Sequence, residues 1–377
     1  MRIIDIIQNS FPKPSRKDNK LHDKGTSEKN NVLTRRIKLR NGQAWTVHPS
    51  FVMPRMTGYT QDVAYALYLR KFGVPYEGLT YVFGKDDNYW YRMEVQFGRK
   101  SIVATTVKTV PIPQDLLADE HHSWVKGEKV AIATTVAQGV VLGSEISPGF
   151  SKDELEKGYG AFAAEAKQVE PKYAPKTVNT DGWSGTQGAW KALFPAITVI
   201  RCFLHAWLRI RERGKKLKKT FFDLGERVWA VYYSETKRAM GQRIRRLREW
   251  ATLHLSGVVL EKTLDLCDKE GEWSLWYERG CEDAYTTSNA LDRLMRSQNR
   301  YFDRGQHFHG TLESANLRSR SWAILHNYWD WGRRTRKLNA GSRCPAERLN
   351  GKRYADDWLE NLLVATSAVA RRKNAAT

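Results

Sequence analysis

The sequence predicts a mixed α/β fold, and three observations lead to it. From residue 112 to 205 the pattern runs strand, hairpin, helix, strand, helix, strand. A Trp-rich helical stretch of about eighty residues follows, longer than any ordinary loop and so a subdomain of its own. In front of both stand a β-hairpin and three short helical blocks.

Residues 12–32, "PKPSRKDNKLHDKGTSEKNNV", are polar and read as a flexible basic segment, so residues 1–32 are set apart. "VLTRRIKLRNGQAWTVHP" reads as a hairpin. Two β-rich runs flank Asn41-Gly42, the pair that best tolerates two positive φ angles. Thr60 is placed to cap a helix through Val63, Ala64 and Leu67 that stops at Gly73. Pro75 opens a second, through Leu79, Val82 and Phe83 to Gly84. Asp86 or Asp87 caps a third, with Tyr89, Trp90 and Met93, closed by Gly98. Three short helices with Arg99 and Lys100 behind them suggest a DNA-binding, helix-turn-helix-like module over 33–110. A small helical subdomain packed on its neighbour fits the same pattern.

The next segment, 111–205, begins with "IPQDLLADEHHSW", a short apolar strand ending at Asp119. "KVAIATTVAQGVVLGSEIS" gives two β-rich runs joined around Gln138-Gly139. "SKDELEKGYGAFAAEAKQV" opens with Ser151 and Glu154 in capping-box spacing. A strand ending at Asp181, a helix stopped by Pro195 and the apolar strand "AITVIRCFLH" complete the segment. The all-helical stretch occupies 206–285 and holds the basic runs "RIRERGKKLKK" and "RIRRLREW". Residues 286–335 begin with "TTSNALDRLMRSQNRYF", a helix capped by Thr287 or Ser288 that carries Asp292 in its first turns. A basic linker and an amphipathic helix fill 336–377.

The chain has 377 residues, a formal net charge of +21 and a pI near 9.8. Such a charge favours a polyanionic partner, nucleic acid before an anionic membrane surface. No apolar run approaches the roughly 20 residues of a membrane span, and the first residues have the wrong flanks for a secretory signal. The four cysteines (Cys202, Cys267, Cys281, Cys344) lack CxxC pairing, which fits a reducing, cytoplasmic setting.

Two aspartates at the tips of neighbouring strands, with an acid from a later helix, make a site for hard divalent cations. Two such ions about 4 Å apart activate the attacking oxygen and stabilise the leaving one in phosphodiester cleavage. Either aspartate alone is more often a turn cap, so the case rests on the set.

"LLADEHH…KVAIATTVAQGVVLG", "TVNTDGW…FPAITVIRCFLH" and "TTSNALDRLMR" together resemble the DDE transposases of the Mutator-like group and their bacterial insertion-sequence relatives, over about residues 112–330. The resemblance implies a ribonuclease H-like fold with an all-helical insertion between the second and third catalytic acids. It implies that Asp119 and Asp181 are the first and second catalytic, metal-binding acids and Asp292 the third, with two Mg2+ or Mn2+ ions. The family usually has glutamate at the third place; aspartate is one methylene shorter, and Glu313 in "HGTLESAN" is the rival. Cys202-Phe203-Leu204-His205 matches the family's cysteine–histidine pattern after the second strand–helix unit.

Of the other residues, Glu120 can replace Asp119 only in its stead, since neighbours on a strand face opposite ways. His121 and His122 suit a solvated turn or DNA contact better than a hard cation. "HFHG" at 307–310 is assigned nothing. Arg209, Arg211, Arg213, Lys215, Lys216, Lys218 and Lys219, with Arg293, Arg99 and Lys100, are the candidate phosphate-binding residues. The expected function is transposition: cleavage at the element's terminal inverted repeats and joining of the 3′-hydroxyl to target DNA, by a homodimer or higher oligomer bound to the nucleoid. No small-molecule substrate is expected. The alternatives are a ribonuclease H-like nuclease or resolvase without strand transfer, and an inactive, domesticated DNA-binding protein.

Overall fold

The computed structural model describes residues 19–27, 32–39, 44–54, 56–305 and 307–367. The chain divides into two compact units. One takes the described residues up to Ile112, Val140–Leu142, and those from Asn299 onward. The other takes Pro113–Gly139 and Gly143–Gln298.

The second unit is built on a mixed five-stranded sheet, as the alternating pattern predicts. Its strands are β4 (Asp115–Val125), β5 (Glu128–Ala137), β6 (Val140–Ser147), β7 (Thr177–Thr180) and β8 (Thr198–Arg201), in the order β6-β5-β4-β7-β8. The β5–β6 turn puts Gln138 at φ 48° and Gly139 at φ 74°, two successive positive values that suit a two-residue hairpin. β4 runs parallel to β7, and β7 parallel to β8.

One expectation fails here: Asp119 does not end its strand. β4 continues through Glu120, His121 and His122 to Val125 because β5 pairs with it antiparallel all the way to Val125↔Glu128. The polar run reads as a strand end in sequence, but a ladder to a hairpin partner needs only backbone groups. The two histidines are therefore strand residues, not a turn.

Helix α5 (Lys152–Val169) starts at the anticipated capping box of Ser151 and Glu154. Leu155, Tyr159, Phe162 and Ala166 recur at three- and four-residue spacing and are buried. Gly158 lies where an added Cβ would come within 3.0 Å of the Ala133 Cβ, so the helix sits close to the sheet. Helix α6 (Ser184–Leu193) adds the fully buried Trp190, whose ring centroid lies 5.1 Å from that of Tyr159 and 6.0 Å from that of Phe162. Burying an aromatic of this size contributes roughly 1.5–3 kcal/mol.

After β8 the chain is helical from Phe203 to Ser274: α7 (Phe203–Gly214), α8 (Lys219–Tyr232), α9 (Lys237–His254), α10 (Gly257–Asp268) and α11 (Glu270–Ser274). Phe203, Trp207 and Ile210 on α7 pack with Leu224, Val228 and Val231 on α8 and with Met240, Ile244 and Leu247 on α9. Trp273 is fully buried and its indole N–H donates to the Leu266 carbonyl at 2.9 Å. Helix α12 (Asn289–Arg304) follows; the Ser288 carbonyl accepts from the Asp292 amide at 2.9 Å, so the helix opens where the sequence places its cap.

The first unit begins with three antiparallel strands, β1 (Asn19–Ser27), β2 (Val32–Leu39) and β3 (Ala44–Val47). β1 falls inside the segment that composition marks as flexible; pairing with β2 supplies backbone hydrogen bonds that a polar sequence does not advertise. The strands flanking Asn41-Gly42 do pair, and that turn itself lies outside the described residues. Next come α1 (Thr60–Arg70), α2 (Tyr76–Phe83) and α3 (Asp87–Val95). Asp86 caps α3 by accepting from the Tyr89 amide. Thr60 is no cap: its hydroxyl donates to the Ser50 carbonyl at 2.6 Å, and Tyr59 stands at the N-cap position. The third block does not close at Gly98 but runs on into a 3-10 turn, Gln96–Arg99, ahead of the short α4 (Ile102–Thr106).

Helix α13 (Leu312–Tyr328) is the buried axis of this unit, with Ala315, Trp322, Ala323, Ile324 and Leu325 all enclosed. Gly98 fits against it: an added Cβ would lie 2.0 Å from the Leu317 carbonyl oxygen, and the Gly98 amide donates to Ser321 Oγ at 2.7 Å. Asn327 Nδ2 donates to the Val141 carbonyl at 2.7 Å and its Oδ1 accepts from the Val141 amide at 2.8 Å. Glu94 is wholly buried, paired with Arg70 at 2.7 Å and hydrogen-bonded by the Tyr301 hydroxyl. The stretch expected as a basic linker instead folds into α14 (Arg333–Leu338) and α15 (Pro345–Asn350). Its arginines find acids: Arg336 and Arg353 both pair with Asp330 at 3.1 Å. Helix α16 (Trp358–Thr366) closes the described chain, capped by Asp357. Among the described residues no helix is long and apolar enough to cross a membrane.

Candidate active site

The sheet register brings two acids together. The parallel β4–β7 ladder ends at Leu117↔Asn179; two residues on lie Asp119, in the middle of β4, and Asp181, just past the end of β7. Asp181 is at the tip of β7, as its sequence context suggests, and its Oδ1 accepts from the Trp183 amide at 2.8 Å. Asp119 accepts from the Glu120 amide at 2.9 Å. Burial first, then the neighbouring charges of Glu120 and Asp181, push the Asp119 carboxyl up to about 7.

Glu120 points elsewhere. Its Oε1 accepts from the Tyr159 hydroxyl at 2.6 Å and from Thr186 Oγ1 at 2.7 Å, which ties β4 to the first turns of α6 and to α5. Burial raises its carboxyl despite these two bonds. Strand alternation thus separates two adjacent acids into one on the site and one on its support.

The third acid approaches from the start of α12. Asp292 Oδ1 accepts from Ser288 Oγ at 3.1 Å. The same Ser288 hydroxyl lies 3.3 Å from Cys202 Sγ and 3.5 Å from His205 Nδ1, and its amide donates to that sulfur at 3.2 Å. Cys202 is the buried N-cap of α7 and His205 stands on its first turn, which explains the spacing between them. The His205 imidazole is raised to about 9, chiefly by its hydrogen bond with Cys202 and against burial, with Asp292 and Asp119 adding their fields. Burial would raise the Cys202 thiol, but hydrogen bonds with His205 and Ser288 outweigh it and hold it below its ordinary value. His205 therefore stands in the field of both Asp119 and Asp292.

Glu313 belongs to the other unit, where it is exposed in the first turn of α13. Arg209, Arg211, Arg213, Lys215, Lys216, Lys218 and Lys219 are all exposed, on α7, the turn after it and the start of α8, as is Arg293 on α12. Arg99 and Lys100 are exposed in the first unit, at the end of the 3-10 turn and just after it. The buried faces of α3, Trp90, Met93 and Glu94, pack inward. Ser288 escaped sequence reading except as a cap, and Tyr159 and Thr186 carried no signal at all; the contact of Ser288 with Cys202 and those of Tyr159 and Thr186 with Glu120 join residues dozens of positions apart.

Burial first, then the charges of Glu120 and Asp181, hold the Asp119 carboxyl up, and carboxylate oxygens are the donors that a hard divalent cation takes. Among the described residues no three His, Cys, Asp or Glu side chains stand grouped to hold one metal ion, so Asp292 is not gathered with the pair. No protein-family model matches the chain, and no curated protein matches its sequence.

Proposed function

We propose that this protein is a DDE-type DNA transposase that cuts at the ends of its own element and joins the freed 3′-hydroxyl to target DNA. The observation that carries the reading is the parallel β4–β7 register, which leaves Asp119, within β4, and Asp181, at the tip of β7, each two residues past the last ladder pair. A five-stranded mixed sheet followed by a helical region between the second and third acids supports a ribonuclease H-like fold. The net charge of +21 supports DNA as substrate.

In this reading Asp119 and Asp181 hold Mg2+ or Mn2+, with Asp292 as the third acid. When bound, such ions supply activation of an attacking oxygen and stabilisation of the leaving one. Glu120, through Tyr159 and Thr186, fixes the strand that presents Asp119. Ser288 orients the Asp292 carboxylate and keeps the Cys202–His205 pair beside it. The exposed run from Arg209 to Lys219, with Arg293 and, in the first unit, Arg99 and Lys100, grips backbone phosphates. Assembly of two element ends calls for at least a homodimer on DNA, in a cytoplasmic, nucleoid-associated setting.

A second reading, a DNA-binding protein that no longer cuts, draws on one observation: Asp292 is not grouped with the other two acids. One experiment separates them. The purified protein and Asp181→Ala are incubated with a labelled duplex carrying the element end, with magnesium or manganese. Nicks at the element tip and joined products, both lost in Asp181→Ala, support the transposase. Binding without cutting supports the second reading, and cutting that ignores the end sequence points to a nuclease.

A further inference from the structure

A cleft opens beside Asp181 on the helical side of the second unit. Asp181, Arg201, Arg209, Lys262, Asp265 and Lys269 line it. Four of these six are cations, and none of Arg201, Lys262 or Lys269 belongs to the basic run already described. Arg201 is set in place from two directions. Its Nη1 lies 3.2 Å from Glu272, and its guanidinium lies close against Gly182 in the turn after β7. Gly182, at φ 95°, permits that approach, since an added Cβ would come within 2.8 Å of Arg201 Nε. The arginine is thereby braced against the residue next to Asp181.

Asp265 sits among the cleft's cations. Lys269 pairs with it one helical turn on. Its carboxyl feels burial, which would raise it, but the hydrogen bond and charge of Lys269 and the charges of Arg201 and Lys262 hold it below its ordinary value. It balances part of the positive charge in the absence of a ligand. Arg209, exposed one face of α7 away from the buried Ile210, completes the rim.

We propose that this cleft is a subsite for a single backbone phosphate of DNA next to the position that is cut, its non-bridging oxygens taken by Arg201 and Arg209 with Lys262 and Lys269 behind them. The proposal rests on the transposase reading for the identity of its ligand. The geometry suits an anion with several oxygens. A guanidinium offers paired N–H donors to two oxygens at once, and the two lysines add charge without demanding direction. Its place beside Asp181 would fix the register of the strand at the acids, where an error of one nucleotide moves the cut.

The test is a cycle between protein and DNA, read as binding in EDTA so that no cutting is required. Element-end duplexes carrying one neutral methylphosphonate at a time are titrated with wild type and with Arg209→Ala. Arg209 is exposed, so its loss leaves the fold intact; Arg209→Lys serves as the conservative variant. Arg209→Ala should bind the unmodified duplex about 5- to 10-fold more weakly and flatten the salt dependence by about one ion. The methylphosphonate that weakens wild type at one position beside the cut should have no further effect on Arg209→Ala, and Asp265→Asn should bind more tightly than wild type. Losses that simply multiply at every position, in a wild type that does nick its ends, would overturn the subsite while leaving the transposase standing. A wild type that neither prefers its own ends nor cuts them would instead remove the reading on which the subsite rests.

Discussion

The raised carboxyl of Asp119 makes this residue a stability cost that a single atom change should relieve. The fold binds the Asp119 proton more tightly than the unfolded chain does. Its contribution is therefore favourable at low pH and is lost as pH rises from about 4 through about 7. From the ordinary 3.8 to about 7, at about 1.36 kcal/mol per pH unit, the ceiling is about 4 kcal/mol. Asp119 keeps part of its surface in water, and halving the figure for solvent screening leaves about 2 kcal/mol. Asp119→Asn keeps the shape and removes the charge. In metal-free buffer at pH 8 it should melt about 4–8 °C above wild type, using about 2–4 °C per kcal/mol for a domain of this size. At pH 5 the gain should shrink by half or more. Thermal unfolding followed by circular dichroism at the two pH values reads this directly. Equal melting at pH 8, or a gain just as large at pH 5, would refute the reasoning.

Ser151→Ala removes one half of the capping box on α5 and should cost about 1 kcal/mol in urea unfolding. Glu94→Gln leaves the Arg70 guanidinium buried without its partner, so a loss of about 3–5 kcal/mol is expected, measured the same way. Gly98→Ala drives a methyl group into the Leu317 carbonyl; α13 must shift, and destabilisation of about 2 kcal/mol or more should appear as a lower urea midpoint.

What was legible in the sequence is what local chemistry decides. The Gln138-Gly139 turn, the Ser151–Glu154 box, the Asp86 cap and the opening of α12 at Ser288 each depend on a few adjacent residues. So does Asp181 at its strand tip. The continuation of β4 past Asp119 was hidden because it is β5, not the residues Glu120 to His122, that keeps the strand going. β1 was hidden for the same reason. The stretch after Trp331 looked like a linker because its arginines read as free charge until Asp330 and Glu347 meet them. At the site, Asp181 at its strand tip and the Cys202–His205 spacing could be read in advance, while the place of Asp119 inside a longer strand could not. The cleft lined by Arg201, Lys262 and Lys269 could not, since helix-surface lysines look alike until folding decides which of them face a common space.

The amide of Asn327, bonded to both backbone groups of Val141, bears on how this protein can be dissected. β6 is the outermost strand of its sheet, and at Val141 one side chain imitates a neighbouring strand. A shortened version ending at Gln298, the natural choice for isolating the half that bears the acids, keeps β6 but discards Asn327. Its outer strand would then offer an unmatched donor and acceptor to any other copy it meets, the usual start of strand-to-strand self-association. Anyone trimming the chain for biochemistry should carry the segment around Asn327 along, or replace Val141 with proline to silence the donor.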